Sequence, residues 1–246
     1  MASQPASTTP STSVRKRRTS YRCVATSTAG LVQQVAVSYL RHGYWYYVTG
    51  QIPENKDPET VDRKLLTKYA IDITERQRAC RKQQGLANMQ YIRFDHWFIL
   101  LITDGHHPFK QEEKQQIRDC RRHPIKFNGY SISYRRSGQT PKGGTDPKWH
   151  SCVRIDNKTY RELKTFFLHY ATSRSSEWLA QEFASLPFAR YAPIRRQLLT
   201  VLRSTNRIRE NAGYVAIPVA ALNLRRRIIK PFDQRPDWEP MNGVIR

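Results

Sequence analysis

The stretch Met89-Gln90-Tyr91-Ile92-Arg93-Phe94-Asp95-His96-Trp97-Phe98-Ile99-Leu100-Leu101-Ile102-Thr103 decides how the chain is read. Aromatic and branched residues crowd two runs, Met89 to Phe94 and Trp97 to Thr103, as they do on a pleated, half-buried surface. Asp95-His96 makes a tight junction between them, so the stretch predicts two successive strands. Its apolar run, Trp97 to Ile102, is far shorter than the ~20 residues a membrane-spanning helix needs. Upstream, Tyr44 to Thr49 reads as another strand. Asp57-Pro58 supplies an N-cap followed by proline at the first helical position. Val61, Leu65 and Tyr69 continue that helix at four-residue spacing, and Thr74 to Gln84 reads as a short basic helix closed by Gly85. Downstream, Lys110 to Arg121 reads as a polar helix and Lys126 to Tyr134 as a strand.

The order from Tyr44 to Tyr134 is thus strand, helix, strand, strand, helix, strand, which is the split-βαβ or ferredoxin-like arrangement. A helix from Thr28 to Arg41 precedes it, with Leu31, Val35 and Tyr39 on one face and Gly43 as its cap. An extra strand, Trp149 to Ile155, follows a Gly/Pro/Lys loop. The expected class is α+β, with a ferredoxin-like sheet in residues 21–156 and a helical, basic C-terminal region in 157–230. Residues 1–20 read as a disordered basic arm and 231–246 as a flexible tail. In the C-terminal region Asn157 caps a helix striped by Leu163, Phe166, Phe167 and Tyr170. Ser175 or Ser176 starts a second helix, and Pro193 opens a longer one ended by Gly213.

Charge narrows the partner. Forty-two Lys and Arg stand against 20 Asp and Glu, a formal +22, and 29 of the 42 are arginine. A chain this far from neutrality repels itself unless a polyanion covers it, and the arginine fork matches phosphate oxygens in pairs. On the helix from Pro193, Ile194, Leu198, Val201 and Ile208 define the face to be buried, and Arg196, Arg203 and Arg207 fall opposite. From Arg190 to Lys230 ten basic residues face Glu210 alone. A merely solvated helix face carries mixed signs. The expected partner is nucleic acid, DNA rather than RNA. Its phosphates would meet Arg15, Lys16, Arg17 and Arg18 of the arm, Arg196, Arg203 and Arg207 of the helix, and Arg225, Arg226 and Arg227 beyond it. No membrane partner is expected. Cys23, Cys80, Cys120 and Cys152 form no CxxC and no secreted framework, so the expected setting is reducing: cytoplasmic, and associated with the nucleoid.

Three further constellations bear on chemistry. Tyr44, Trp45, Tyr46 and Tyr47 could stack bases if they lay on an open sheet face. The C-terminal helices must pack somewhere, however, and covering that face makes these residues core. Cys120-x2-His123 and His150-x-Cys152 have the ligand count of a structural zinc site, although Cys152 also reads as a small core residue and His123 as a loop residue. Finally, His96-Trp97-Phe98 on the third strand, Tyr46 to Gly50 on the first and a tyrosine on a later helix resemble the HUH-class single-strand endonucleases, which include Tyr-dependent transposases and replication initiators. That resemblance implies a mobile-element origin, a divalent metal (Mg²⁺ or Mn²⁺) and a tyrosine nucleophile, Tyr160 or Tyr170. Phe98 stands where the second histidine of the family motif belongs, so His106 and His107 would have to complete the metal site with His96. An RNA-binding accessory protein is the third reading.

Overall fold

The computed structural model describes residues 21–136, 144 and 148–233, and shows an α+β protein with two antiparallel sheets and seven α-helices among them. Ser27 caps α1 (Thr28–Gln33), and the chain continues through a π-helical segment, Gln34–Tyr39, and a 3-10 turn, Leu40–His42, to Gly43 at φ +91°. Leu31, Val32, Val35 and Tyr39 are buried, as their spacing predicts. Then come β1 (Tyr46–Gln51), α2 (Pro58–Lys68) and α3 (Glu75–Gln83). Asp57 caps α2 ahead of its proline, and Thr74 and Gln77 form a capping box on α3.

The opening stretch forms a hairpin, β2 (Met89–Phe94) and β3 (Trp97–Ile102), turning at Asp95-His96 with Asp95 at φ +53°. The next segment departs from expectation. Lys110 to Arg121 carries no apolar stripe, and only one helical turn forms there, α4 (Phe109–Glu112), pinned by buried Phe109. The fourth strand is the two-residue β4 (Arg118–Asp119), paired with Tyr47 and Tyr46. The first sheet therefore runs β2-β3-β1-β4.

The run expected as one strand from Lys126 to Tyr134 is a hairpin of a different sheet. Asn128 and Gly129, at φ +41° and +76°, turn the chain between β5 (Ile125–Phe127) and β6 (Tyr130–Arg136). Asn-Gly is the residue pair that such a two-residue turn favours. The strand expected as an addition to the first sheet is β7 (Trp149–Ile155), which completes the second, β5-β6-β7.

Three helices finish the described chain: α5 (Asn157–His169), α6 (Ser176–Ser185) and α7 (Ala192–Asn211). Asp156, rather than Asn157, caps α5. Alternation on the first sheet feeds two cores. Val48, Leu100 and Ile102 pack with Tyr69 and Ile71 from the end of α2 and beyond it, while Tyr47, Ile99 and Leu101 join the larger cluster. That cluster also takes in α1, the second sheet, Leu163, Phe183 and Leu198, so residues on both sides of position 156 share it. Tyr44 and Tyr47 belong to it and Trp45 packs at its edge. The chain after α7 returns to the N-terminal segment: Gln33 Nε2 donates to Ile229 O at 2.6 Å and Thr26 N to Pro231 O at 2.9 Å. Of the tail expected to be flexible, residues 231–233 are thus held, and 234–246 lie outside the described residues.

Candidate nucleic-acid interface

On α7 the hydrophobic stripe works as expected over three turns. Ile194, Leu198 and Val201 are buried and Arg196, Arg203 and Arg207 are exposed. At its C-terminal end the pattern inverts: Ile208 is 37% exposed and Arg209 only 2%. The Arg209 guanidinium displaces the isoleucine because main-chain oxygens converge on it. Nε donates to Val215 O at 2.7 Å, and Nη1 to Ala171 O at 2.6 Å and Arg174 O at 2.9 Å. Arg190 has the same kind of role, donating from Nε to Leu222 O at 3.0 Å and from Nη1 to Phe188 O at 2.6 Å. Burial pushes its pKa down.

Arg225 and Arg227 are exposed, but Arg226 between them is packed. Its guanidinium lies 4.2 Å from the Tyr191 ring centre, and Nη2 donates to Gln33 Oε1 at 3.2 Å. Of the ten basic residues in the stretch, Arg196, Arg203, Arg207, Arg225, Arg227 and Lys230 are exposed, Arg195 is half-buried, and Arg190, Arg209 and Arg226 are structural. Arg15, Lys16, Arg17 and Arg18 lie outside the described residues.

A second feature links the two sheets. Trp45 and Tyr134 stack at 5.8 Å between ring centres and 24° between planes, and Tyr134 and Trp149 at 5.9 Å and 15°. Cations sit against these rings and against Tyr46: Arg121 lies 4.5 Å from the Trp45 centroid, Lys110 4.8 Å from Tyr46, and Arg136 5.5 Å from Trp149. The backbone builds this ladder. Cys120 N donates to Trp45 O and Tyr134 N to Cys120 O, joining the sheets along the line that the rings follow. In the β6–β7 register Arg136 faces Trp149 directly and Tyr134 is its diagonal neighbour.

Arg121 is clamped by Asp119, with Nε to Oδ1 at 3.0 Å and Nη2 to Oδ2 at 2.8 Å, and Nη2 also reaches Tyr46 Oη at 3.1 Å. The Asp119 contact raises the Arg121 pKa. For Asp119, partial burial opposes the charged form, but the Arg121 side chain and backbone N–H outweigh it and hold the carboxyl low.

The residues expected to bind metal are not brought together. His96 lies in the β2–β3 turn, with Nδ1 3.1 Å from Ile52 O. His106 and His107 lie beyond the opposite end of β3, roughly 17 Å or more away at ~3.3 Å per strand residue. His107 is buried and its Nδ1 accepts from Phe109 N at 3.1 Å; burial lowers its pKa. Tyr160 sits half-buried on the first turn of α5. Tyr170 follows the last turn, packed with Phe166 and Trp178 under Arg174. Cys120 and Cys152 are buried, whereas His123 and His150 are exposed. Among the described residues, no three His, Cys, Asp or Glu side chains gather as a metal site.

The ladder escapes a reading by residue pattern because its members come from four separated segments. The only local signal is Tyr134-x-Arg136, which puts an aromatic residue and a cation on one strand face. No helix among the described residues is long and apolar enough to cross a membrane. Comparison with protein-family models, with curated proteins and with solved structures finds no match to this chain.

Proposed function

We propose that this protein binds nucleic acid, DNA in preference to RNA, and that it serves a mobile element. The observation that carries the reading is α7. Arg196, Arg203 and Arg207 stand exposed opposite a buried stripe, and Glu210 is the sole acid on the helix. Uncompensated guanidinium groups on a rigid rod suit a phosphate backbone. With Arg225 and Arg227 they provide five exposed arginines, for which the affinity should fall roughly 500-fold between 50 and 200 mM salt. Electrophoretic mobility shift across that salt series is the test. Arg203→Gln with Arg207→Gln should flatten the log–log slope by about 2. Binding that is absent at low salt, or indifferent to salt, refutes the reading, and matched DNA and RNA probes decide between the two acids.

The order β2-β3-β1-β4, with helices after β1 and β3, favours reading the first sheet as ferredoxin-like. It is also the one observation favouring the second reading, a variant HUH-type endonuclease with Tyr160 or Tyr170 as nucleophile. The separation of His96 from His106 and His107 weighs against the metal site which that chemistry would need. A covalent protein–DNA adduct, formed on single-stranded DNA with Mn²⁺ and lost when both tyrosines are changed to Phe, would establish it; no adduct refutes it.

A further inference from the structure

Resting on the nucleic-acid reading, we propose that the ladder ending at Trp149 is a stacking platform for an unpaired base, so that the protein's ligand includes single-stranded nucleic acid. Two observations converge on it.

The first is an exposure gradient along a rigid stack. Trp45 and Tyr134 are half-buried, while Trp149 at the end is 42% exposed, one of the largest apolar side chains on the described surface. The Trp45 indole is fixed by its Nε1–H to Leu40 O at 3.1 Å, and Arg121 is held by Asp119, so the stack is ordered before any ligand arrives. A preorganised platform spends little ordering entropy on binding.

The second is charge. Arg121 and the exposed Arg136 lie over the ladder's rings, and its carboxylate, Asp119, is already paired with Arg121. The surface therefore offers a flat π face beside cations that want an anion. A nucleotide carries both complements in one unit, a base and a phosphate. An acidic peptide would meet the cations without extending the stack.

Selectivity separates this surface from the arginines of α7. A duplex keeps its base faces in its own stack and can use only the arginine helix, whereas an unpaired strand can present a base to Trp149. The two surfaces therefore predict different selectivities.

Fluorescence anisotropy with labelled oligothymidylate, an oligouridylate of equal length and a blunt duplex of two annealed strands tests this on the full chain. Trp149→Ala, at an exposed position, should weaken single-strand binding by about 5- to 150-fold, the range for one base–aromatic stack, and leave duplex binding unchanged. Trp149→Phe should retain most of the affinity. Arg203→Gln with Arg207→Gln should weaken single strand and duplex alike. Equal stacking on oligouridylate keeps the platform for either strand, and tighter stacking there assigns it to RNA. Equal loss on single strand and duplex with Trp149→Ala, or no loss on single strand, overturns the platform while leaving the nucleic-acid reading in place. Wild-type protein that binds none of the three probes at low salt overturns both.

Discussion

Asp62 offers the sharpest test of how this fold holds together. It sits on α2, where a helix facing a hydrophobic core would ordinarily place an aliphatic residue, and it is buried along with Arg93 of β2. Arg93 Nε donates to Asp62 Oδ1 at 2.9 Å and to Oδ2 at 3.1 Å, and Nη2 donates to Oδ2 at 2.9 Å. The Tyr91 hydroxyl donates to the same carboxylate, and the Cys23 thiol lies 3.9 Å from it. Asp62→Ala would leave the guanidinium with Asp95 O as its one remaining described partner. Removing one member of a buried pair costs about 3–5 kcal/mol because the other charge stays desolvated. For a chain of this length each kcal/mol lowers Tm by about 2–4 °C, so the expected fall is roughly 6–20 °C. Urea unfolding should show the midpoint dropping at unchanged m, the mark of lost stability rather than an altered denatured state. The double change Asp62→Leu with Arg93→Met replaces the pair by apolar groups and should cost less than Asp62→Ala alone. A cost under about 1 kcal/mol for Asp62→Ala, or a double variant less stable than the single, would refute this role for the buried pair.

Burial pushes the Cys23 and Cys120 thiols up from 9.0 to about 12. Both therefore keep their protons in the folded protein after the unfolded chain has lost them; the stability they contribute is whole below pH 9 and drains away as pH rises through 12. Urea midpoints measured up that range should fall less steeply in Cys120→Ala than in wild type. Of the four cysteines only Cys80 is exposed, so an aromatic disulfide reagent should release one equivalent of thiolate quickly from native protein and the rest on unfolding. Arg209→Met strands three main-chain oxygens and should destabilise by several kcal/mol, about 1–3 for each buried group left unpaired, whereas Arg203→Gln should stay within about 0.5 kcal/mol of wild type by the same melt.

Where sequence pattern and structure agree, local physics decides. The Asp57-Pro58 start, the Thr74 cap and the Asp95-His96 turn each depend on one or two residues whose conformational preferences are strong. Asn128-Gly129 belongs to that class too: a run of strand-forming residues on both sides hides the turn unless the pair itself is given priority. The segment after β3 lay beyond such rules. Its polar residues suit a helix, but Phe109 alone anchors it, and the two-residue β4 exists because Tyr46 and Tyr47 present a free sheet edge. Trp45 illustrates the limit of alternation. β1 begins at Tyr46, so the indole just before it is not bound to the strand's two-residue period and turns toward Tyr134.

The arginines show why net charge alone is a blunt guide to function. Arg93, Arg190 and Arg209 are all buried, the first against a carboxylate and the other two against main-chain oxygens of the segments that follow α5, α6 and α7 and of the 3-10 turn Val219–Leu222. A guanidinium can serve this way because its five N–H groups fan out in a plane and close several chain ends at once; lysine could not. Substituting such residues destabilises the fold, and a resulting loss of the proposed nucleic-acid binding would look like the removal of a phosphate contact. The informative positions are Arg196, Arg203, Arg207, Arg225 and Arg227, whose exposure separates the two effects. A variant there that keeps the wild-type melting curve and loses salt-dependent affinity isolates the electrostatic term, and one that loses both marks an arginine serving the fold.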